Sequence, residues 1–163
     1  MDFSIREIRK EDNAILAAII RASFIEFDAP KTGTVYSDPT TDALFDLFEN
    51  ARNAILYVAE LNGEVVGSCG IYPTEGLPEG HCELVKFYLS VNARNLGIGK
   101  ALFEKSLAAA STLNYTHVYI ESQPSFSKAV KIYEAYGFGY LKSPLGNSGH
   151  DNCDVWMIKS LKK

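Results

Sequence analysis

Residues 94–100 have the sequence Arg-Asn-Leu-Gly-Ile-Gly-Lys and lie between two strong local signals. Before them, apolar side chains on both faces of residues 83–90 predict a buried strand, and after them residues 97–112 carry a helical pattern. Because glycine lacks a Cβ, the backbone at Gly97 and Gly99 can approach a ligand closely. The first N–H groups of a helix have no partner within it and converge on what lies in front. The stretch therefore predicts a helix N-terminus that binds phosphate.

The neighbouring side chains support a phosphate ligand. Arg94 supplies a guanidinium fork that matches phosphate oxygens, and Asn95 tolerates a left-handed backbone if the turn needs one. A Walker A loop would need Ser or Thr where Ala101 stands, and the dinucleotide fingerprint would need a small residue where Leu102 stands, so both motifs are disfavoured. The alternative is that the two glycines serve only a tight turn and helix packing.

The composition is that of an ordinary globular chain. Its 163 residues, 47% hydrophobic and 22% charged, predict a single domain over residues 1–163. The formal charge of -4 has the wrong sign for a protein that neutralises nucleic-acid phosphates broadly, so we expect no nucleic acid and a locally bound anion. The longest apolar run, residues 14–20, is far shorter than the roughly 20 residues that span a bilayer. We expect no membrane contact and, without a leader-like segment, a cytoplasmic location.

The three cysteines argue against metal and disulfide chemistry. Cys69, Cys82 and Cys153 are odd in number and form no CxxC pair. A disulfide framework or a zinc site needs paired or closely spaced cysteines. We therefore expect free thiols and no metal.

Apolar periodicity predicts alternating strands and helices along most of the chain. A short first strand precedes a helix whose predicted apolar stripe is Ile15, Ala18, Ile19 and Ala22. Asn62-Gly63 supplies two positive φ angles and predicts a tight antiparallel hairpin between residues 54–60 and 64–72. A strand over residues 116–121 and a helix over residues 126–136 follow the glycine motif, and a closing strand is expected over residues 154–158.

At this point the sequence resembles the GCN5-related N-acetyltransferase (GNAT) superfamily. Arg94, Gly97 and Gly99 match its coenzyme motif, Arg/Gln-x-x-Gly-x-Gly/Ala after a central strand, and residues 129–133 followed by Gly137-Phe138 match a second family segment. The two motifs have the spacing of the family, and the strong resemblance covers residues 82–138. The chain departs from the family pattern at three positions, where the family often has Pro, Gly and Asn: Val91, Asn95 and Phe126.

The resemblance implies a fold and a cosubstrate. The fold is a single α/β domain with a mixed, mostly antiparallel sheet, helices on both faces and two central parallel strands that diverge. The cosubstrate is acetyl-CoA, with no metal. Its pyrophosphate would be held by the glycine motif, at Arg94, Asn95, Gly97, Ile98, Gly99 and Lys100. Its pantetheine arm would pair with exposed backbone at Leu89 and Val91, and the Leu89 N–H would stabilise the oxyanion.

The resemblance also implies residues for two proton transfers. Tyr133 holds the family's general-acid position, although its place in the apolar stripe of residues 129–136 also fits a core role. Either Glu83 or Glu121 could accept the proton of the incoming amine, and both could equally be strand-end carboxylates that pair with Lys86 or with solvent. Period-two alternation predicts that Glu83 shares a face with Leu89, and related enzymes often carry an acid there, so we favour Glu83.

Two polar loops are candidates for the acceptor pocket. Residues 31–39 contain Tyr36, and residues 144–150 contain Asn147 and His150. The second loop resembles the ending of small-molecule enzymes in the family, and this resemblance implies a small amine or an amino-acid-like acceptor. The alternatives are a protein or peptide amine, a module that binds acyl-CoA as a sensor without chemistry, and an enzyme that uses another nucleotide. A homodimer is also expected from the family.

Overall fold

The computed structural model describes residues 2–161 as one seven-stranded sheet with four α-helices. The strands are β1 (Phe3–Glu7), β2 (Ile55–Leu61), β3 (Glu64–Tyr72), β4 (His81–Leu89), β5 (His117–Ser122), β6 (Gly139–Leu141) and β7 (Val155–Ser160). The helices are α1 (Asn13–Glu26), α2 (Leu44–Glu49), α3 (Ile98–Thr112) and α4 (Ser127–Ala135). None of these helices is both long and apolar enough to cross a membrane.

The sheet has the strand order β1-β2-β3-β4-β5-β7-β6. Only β4 and β5 run parallel, because α3 forms the crossover between them, and every other neighbouring pair is antiparallel. Asn62 and Gly63 have φ angles of 53° and 84°, so the predicted hairpin turn between β2 and β3 is confirmed. The expected α/β class with a mixed, mostly antiparallel sheet is also confirmed.

Two hydrophobic cores cover the two faces of the sheet. One core packs α3 and α4 against residues such as Ala59, Ile71 and Leu84, and the other packs α1 and α2 against Leu56 and Val58. Alternate residues of β2 enter opposite cores, as the pleat of a strand requires. The helices therefore lie on both faces, as the sequence predicts.

The central parallel strands separate soon after they start. Their register covers three pairs, from His81 opposite His117 to Glu83 opposite Tyr119. Beyond Glu83 the strands diverge and leave a gap in the middle of the sheet on the C-terminal side of β4. This is the divergence that the resemblance implies, and it creates space for ligands at the centre of the fold.

A β-bulge interrupts β4 next to this gap. Between the pairs Ser68–Tyr88 and Gly70–Val85, two residues of β4 face one residue of β3, and the extra residue Lys86 has a φ of 56°. The bulge reverses the alternation of side chains. Val85 therefore joins the core on the α1 side, whereas Leu89 joins the core on the α3 side.

The bulge corrects one prediction from the sequence. Glu83 alternates with Cys82 and Leu84, which belong to the core on the α3 side, so Glu83 points to the α1 side. Leu89 packs on the α3 side. The expectation that the two residues share a face was wrong, because uninterrupted period-two alternation does not survive an inserted residue.

Candidate active site

The glycine motif forms the N-terminus of α3, as predicted. Gly97 is the residue before the first helical turn and has a φ of 82°, and Asn95 has a φ of 63°, so both take the left-handed conformation that their residue types tolerate. A Cβ built on Gly97 would meet no atom within 4 Å. One built on Gly99 would touch only Phe87 and Leu89, at 3.7 Å or more. The backbone there is bare towards the cleft, which fits a bound diphosphate.

A cavity of about 330 Å³ lies in front of this helix N-terminus. It runs between the end of β4, the start of α3 and the first turn of α4, and it is called the coenzyme cleft below. Its lining includes the predicted residues Leu89, Arg94, Asn95, Gly97, Gly99 and Lys100. Ser127 and Lys128, at the start of α4, were not singled out from the sequence. They bring the N-terminus of α4 to the cleft beside that of α3, and Lys128 adds a third cation to Arg94 and Lys100.

Arg94 has partners within the protein. Its guanidinium forms a two-pronged ion pair with Glu26, with Nη2 donating to Oε1 over 2.8 Å, and it also donates to the Leu89 carbonyl over 3.0 Å. It stacks over Phe27 at 5.1 Å from the ring centroid. The guanidinium is therefore fixed at the mouth of the cleft by the end of α1.

Two predicted coenzyme contacts change in the structure. Val91 was expected to offer strand backbone, but β4 ends at Leu89, and Val91 starts a 3₁₀ turn with its side chain 69% exposed and outside the cleft. The Ile98 side chain is fully buried in the core, so this residue can offer only backbone atoms. The chain turns after Leu89 to bring Asn95 and Gly97 to the start of α3, so the extended strand ends before Val91.

The Leu89 N–H faces the gap, as predicted. Leu89 lies opposite Gly67, and at the next pair Ser90 N–H donates to the Val66 carbonyl over 2.7 Å. In an antiparallel ladder, bonded and non-bonded pairs alternate. Leu89 therefore belongs to a non-bonded pair, and its N–H points away from β3 towards the space between β4 and β5.

A second cavity of about 330 Å³ adjoins the first on the α1 side of β4. It is called the acceptor pocket below. The two cavities share Phe87, Tyr88, Phe126 and Ala129 in their linings. Phe126 stands where the family often has Asn, and its ring packs edge-on against Phe24 at 5.2 Å between centroids. The coenzyme cleft and the acceptor pocket therefore meet at an aromatic constriction formed by these shared residues.

Glu83 is the buried carboxyl of the acceptor pocket. Its side chain accepts a hydrogen bond from the Thr74 hydroxyl over 2.5 Å, and the residue is 5% exposed. Burial, and next the charge of nearby Glu121, raise the pKa of Glu83 to about 7. The group can therefore exchange a proton near neutral pH.

Glu121 also lines the pocket, but other side chains already bind it. One carboxylate oxygen accepts from the Tyr119 hydroxyl over 2.7 Å, and the other accepts from the Ser148 hydroxyl over 2.6 Å. The same Tyr119 hydroxyl accepts the Leu145 N–H over 3.2 Å. Glu121 thus anchors the loop after β6 to the end of β5.

Tyr133 lies both in the core and at the wall of the acceptor pocket. Its ring packs against Phe87, Phe103 and Phe138 in the core on the α3 side, and the residue is 5% exposed. It also lines the acceptor pocket near the shared constriction. Burial raises the pKa of its phenol well above the ordinary value, so it is protonated at neutral pH.

The two predicted acceptor loops meet over the pocket. His150 Nε2 lies 2.7 Å from a carboxylate oxygen of Asp38, and Asn152 N–H donates to the Gly33 carbonyl over 3.1 Å. Asn147 and His150 line the pocket as predicted. Tyr36 does not; its ring packs on Phe24 behind the wall, which is formed by its neighbours Thr34, Val35, Asp38 and Thr40.

Sequence reasoning missed three polar residues of the pocket. The sequence indicates Lys86 only as a partner for carboxylates and does not predict Asp38 or Gln123. Asp38 belongs to no motif, and Gln123 stands one residue beyond β5. The one available signal was a lysine in the middle of a strand predicted to be buried. Residues 2–161 contain no group of three His, Cys, Asp or Glu side chains placed to hold a metal ion.

Comparisons with known proteins agree with this geometry. The model of the acetyltransferase (GNAT) family matches residues 19–138. The uncharacterised N-acetyltransferase YjgM of Escherichia coli K12 is 31% identical over 157 residues, which are 96% of this chain and 93% of that protein. A probable N-acetyltransferase family 8 member 5 of Mus musculus is 37% identical over 84 residues, 50% of this chain and 37% of its own length.

Solved structures share the fold. A GNAT-family acetyltransferase from Staphylococcus aureus Mu50 superposes with a TM-score of 0.85 at 21% identity, covering 99% of this chain and 100% of that chain. A phosphinothricin acetyltransferase from Sinorhizobium meliloti, solved with AcCoA, gives a TM-score of 0.76 at 20% identity, covering 99% and 89%. The family match spans well over half of the chain and, with relatives named N-acetyltransferases, supports an acetyl-CoA-dependent enzyme over a non-catalytic module or an enzyme of another nucleotide. The chain therefore belongs to the acetyltransferase (GNAT) family and is an acetyl-CoA-dependent N-acetyltransferase.

Proposed function

We propose that this enzyme moves an acetyl group from acetyl-CoA to the primary amine of a small molecule, by direct attack of the amine. The observation that carries the proposal is that the two cavities adjoin at Phe87 and Phe126, which line both. A cleft that suits the coenzyme thus lies beside a pocket lined by carboxylates. An amine in that pocket would be close to an acyl group at the inner end of the cleft.

The backbone at the gap would stabilise negative charge. Acetyl-CoA supplies the acetyl group as a thioester. The Leu89 N–H points into the gap, where it can donate to the thioester oxygen as charge develops there. The bare N-terminus of α3, with Lys100 and Lys128, would hold the diphosphate end of the coenzyme.

Glu83 is the proposed proton acceptor. An amine must lose a proton to attack, and a carboxyl whose pKa is raised to about 7 can accept that proton, directly or through water, at physiological pH. Glu121 is less suited because Tyr119 and Ser148 already donate to both of its oxygens. We assign Glu121 to positioning the loop over residues 142–154.

Tyr133 is the proposed proton donor. The leaving group is a thiolate, whose conjugate thiol has a pKa of about 8.5. A protonated phenol at the constriction can donate to it. The pocket's own thiol is not suited to carry the acyl group, since burial raises the pKa of Cys153 to about 12. This supports direct attack without a covalent enzyme intermediate.

The enclosure of the pocket favours a small acceptor over a protein N-terminus. The loops over residues 28–42 and 142–154 contact each other across it, through His150 with Asp38 and Asn152 with Gly33. A volume of about 330 Å³ lies at the lower end of the range of small-molecule sites. A homodimer and a cytoplasmic location stay predictions.

The test is thiol release from acetyl-CoA in the presence of a panel of small amines and of short peptides with free N-termini. We expect small amines to accelerate release. Tyr133→Phe should lower the rate at saturating substrate roughly 10²–10⁴-fold, the usual contribution of a general acid. Its affinity for coenzyme, measured by calorimetry, should be unchanged.

Tyr136→Phe is the matched control, because Tyr136 lies three residues further on, at the C-terminal end of α4, packs against the same core and does not line either cavity. Acceleration by peptides alone would contradict the proposed acceptor class. Undiminished turnover by Tyr133→Phe would remove this residue from the mechanism.

A further inference from the structure

Lys86 is a buried cation in the acceptor pocket. It is the extra residue of the β4 bulge, its φ is 56°, and it is 7% exposed. Its backbone carbonyl accepts the Ser68 hydroxyl over 2.6 Å, which fixes the bulge. The side chain lines the pocket and feels the charges of Asp38 and Glu83.

The Lys86 ammonium nevertheless lacks a contact partner. Within residues 2–161, no side chain or carbonyl lies within hydrogen-bond or ion-pair distance of its Nζ. The nearby carboxylates are engaged elsewhere: Asp38 with His150 and Thr40, and Glu83 with Thr74. Burial lowers the pKa of Lys86, although the two carboxylates partly oppose that shift.

The ammonium lies at the surface of the pocket, where its three N–H donors are left to water or to a bound molecule. Lys86 acts on Asp38 and Glu83 through its charge but contacts neither carboxylate. The ammonium instead faces open pocket volume. An anionic oxygen group of a bound molecule would satisfy it.

A second unpaired group in the same pocket has the opposite character. The Oε1 of Gln123 is buried without a hydrogen-bond partner among the described residues, and the residue is 3% exposed. An amide oxygen accepts hydrogen bonds, so it would be satisfied by an N–H or O–H donor. The pocket lining thus includes one cation and one buried amide oxygen that no group among the described residues satisfies.

We propose that Lys86 binds a carboxylate of the acceptor, so that the enzyme acetylates amino acids rather than simple amines or amino-acid amides. This inference rests on the proposed function and names its substrate class. The acceptor would place its carboxylate on the ammonium of Lys86, within a pocket whose remaining charges are acidic and favour its amino group. Gln123 would receive a hydrogen bond from an N–H of the same molecule.

The experiment compares matched acceptors with acetyl-CoA and follows thiol release. Each set contains a free α-, β- or γ-amino acid, its amide and its decarboxylated amine, so that the members differ only at the carboxylate. We expect the free acid to have a kcat/KM roughly 10- to 100-fold above the other two, the usual contribution of a hydrogen bond to a charged group. The difference should lie in KM.

Two variants assign this preference to Lys86. Lys86→Met should reduce the ratio of free acid to amide to about one, and Lys86→Arg should keep most of it, because a guanidinium also binds carboxylates. Lys105→Met is the matched control, on an exposed position of α3 outside both cavities. Calorimetry with CoA shows that each variant folds and retains the coenzyme cleft.

The outcomes separate the inference from the proposed function. Acetylation of amides and simple amines as efficiently as free acids would overturn the inference and leave the proposed function intact. An acid preference that survives Lys86→Met would also overturn it. If no small amine of any set is acetylated while CoA binds, the proposed function fails, and the inference with it.

Discussion

Glu83 and Glu121 are carboxylates on neighbouring strands that differ in their surroundings. Glu83 is buried with one hydroxyl donor, and Glu121 accepts two hydroxyl donors. Burial raises the pKa of Glu83 to about 7, and the Glu121 charge adds to the shift. These surroundings suit Glu83 to exchanging a proton and Glu121 to holding the loop over residues 142–154 in place.

The pH dependence of kcat/KM tests that division. The proposed base acts when ionised, so the wild-type rate should rise with pH around 7 and level off above it. Glu83→Gln should remove this rise and lower the rate at pH 8 roughly 10²–10⁴-fold. Any increase that remains in this variant at higher pH would come only from loss of a proton by the ammonium form of the acceptor.

Glu121→Gln is the matched control. It removes a like charge beside Glu83, so the pKa of Glu83 should fall and the rise should move to lower pH while persisting. The assignment of the base would be reversed if Glu121→Gln abolished the rise and Glu83→Gln preserved it.

The two glycines at the start of α3 differ in what requires them: the fold requires Gly97, and the bound coenzyme requires Gly99. Gly97 requires its left-handed φ of 82°, whereas Gly99 lies inside the helix with room for a methyl group. Gly99→Ala should leave stability unchanged or raise it by up to about 1 kcal/mol, because Ala favours the helix. Its methyl group would displace the diphosphate from the backbone, so CoA affinity should fall roughly 10- to 100-fold.

Thermal unfolding and calorimetry with CoA measure the two effects separately. Gly139→Ala, where a built Cβ meets nothing within 4 Å, is the control outside the cleft. Gly97→Ala should instead destabilise the free protein by about 1 kcal/mol or more, through backbone strain. Native CoA affinity in Gly99→Ala would contradict the role given to this helix N-terminus.

Elements with local signals were predictable from the sequence, and those set by packing were not. The hairpin at Asn62-Gly63 and the start of α3 depend on residues that restrict φ, so local chemistry determines them. Helix α1 is apolar on several sides, and its buried face includes Leu16, Ile20 and Phe24. Of the predicted stripe only Ile19 is buried, whereas Ile15, Ala18 and Ala22 are exposed. Only contact with the sheet decides between such faces.

The bulge at Lys86 escaped prediction for a related reason. Lysine has no special preference for a left-handed backbone, so its presence in the sequence does not predict the positive φ at this position. The bulge is fixed by the register between β3 and β4 and by the Ser68 hydroxyl. Because of it, the side chains of Glu83 and Leu89 face opposite sides of the sheet, whereas the Leu89 N–H lies in the plane of the sheet and points into the gap.

At the scale of the whole molecule, the acceptor pocket joins segments that are far apart in sequence. Asp38 and His150 are separated by 112 positions, and their contact closes one loop against the other. Two polar loops could be recognised as candidates from composition, but no local pattern pairs them. The sheet order, in which β5 lies between β4 and β7, brings the loop before β7 to the pocket.

The contact between His150 and Asp38 should control closure of the pocket without affecting the coenzyme cleft. Burial of Asp38 opposes its ionisation, but the hydrogen bonds from His150 and Thr40 outweigh it and hold the pKa of Asp38 below its ordinary value. The stabilising effect is therefore present at neutral pH and is lost as the pH falls through that lowered pKa. His150→Ala should remove the contribution of His150 at every pH, while the hydrogen bonds from Thr40 remain.

We expect His150→Ala to raise amide hydrogen exchange in residues 31–38 and to raise the acceptor KM roughly 10-fold, while CoA affinity stays unchanged. The loops would remain partly joined through Asn152 and Gly33, so the loss is of closure rather than of fold. His81→Ala is the control, because His81 stacks on His117 and lies outside both cavities. Unchanged exchange in residues 31–38 would show that the two loops close the pocket independently of this pair.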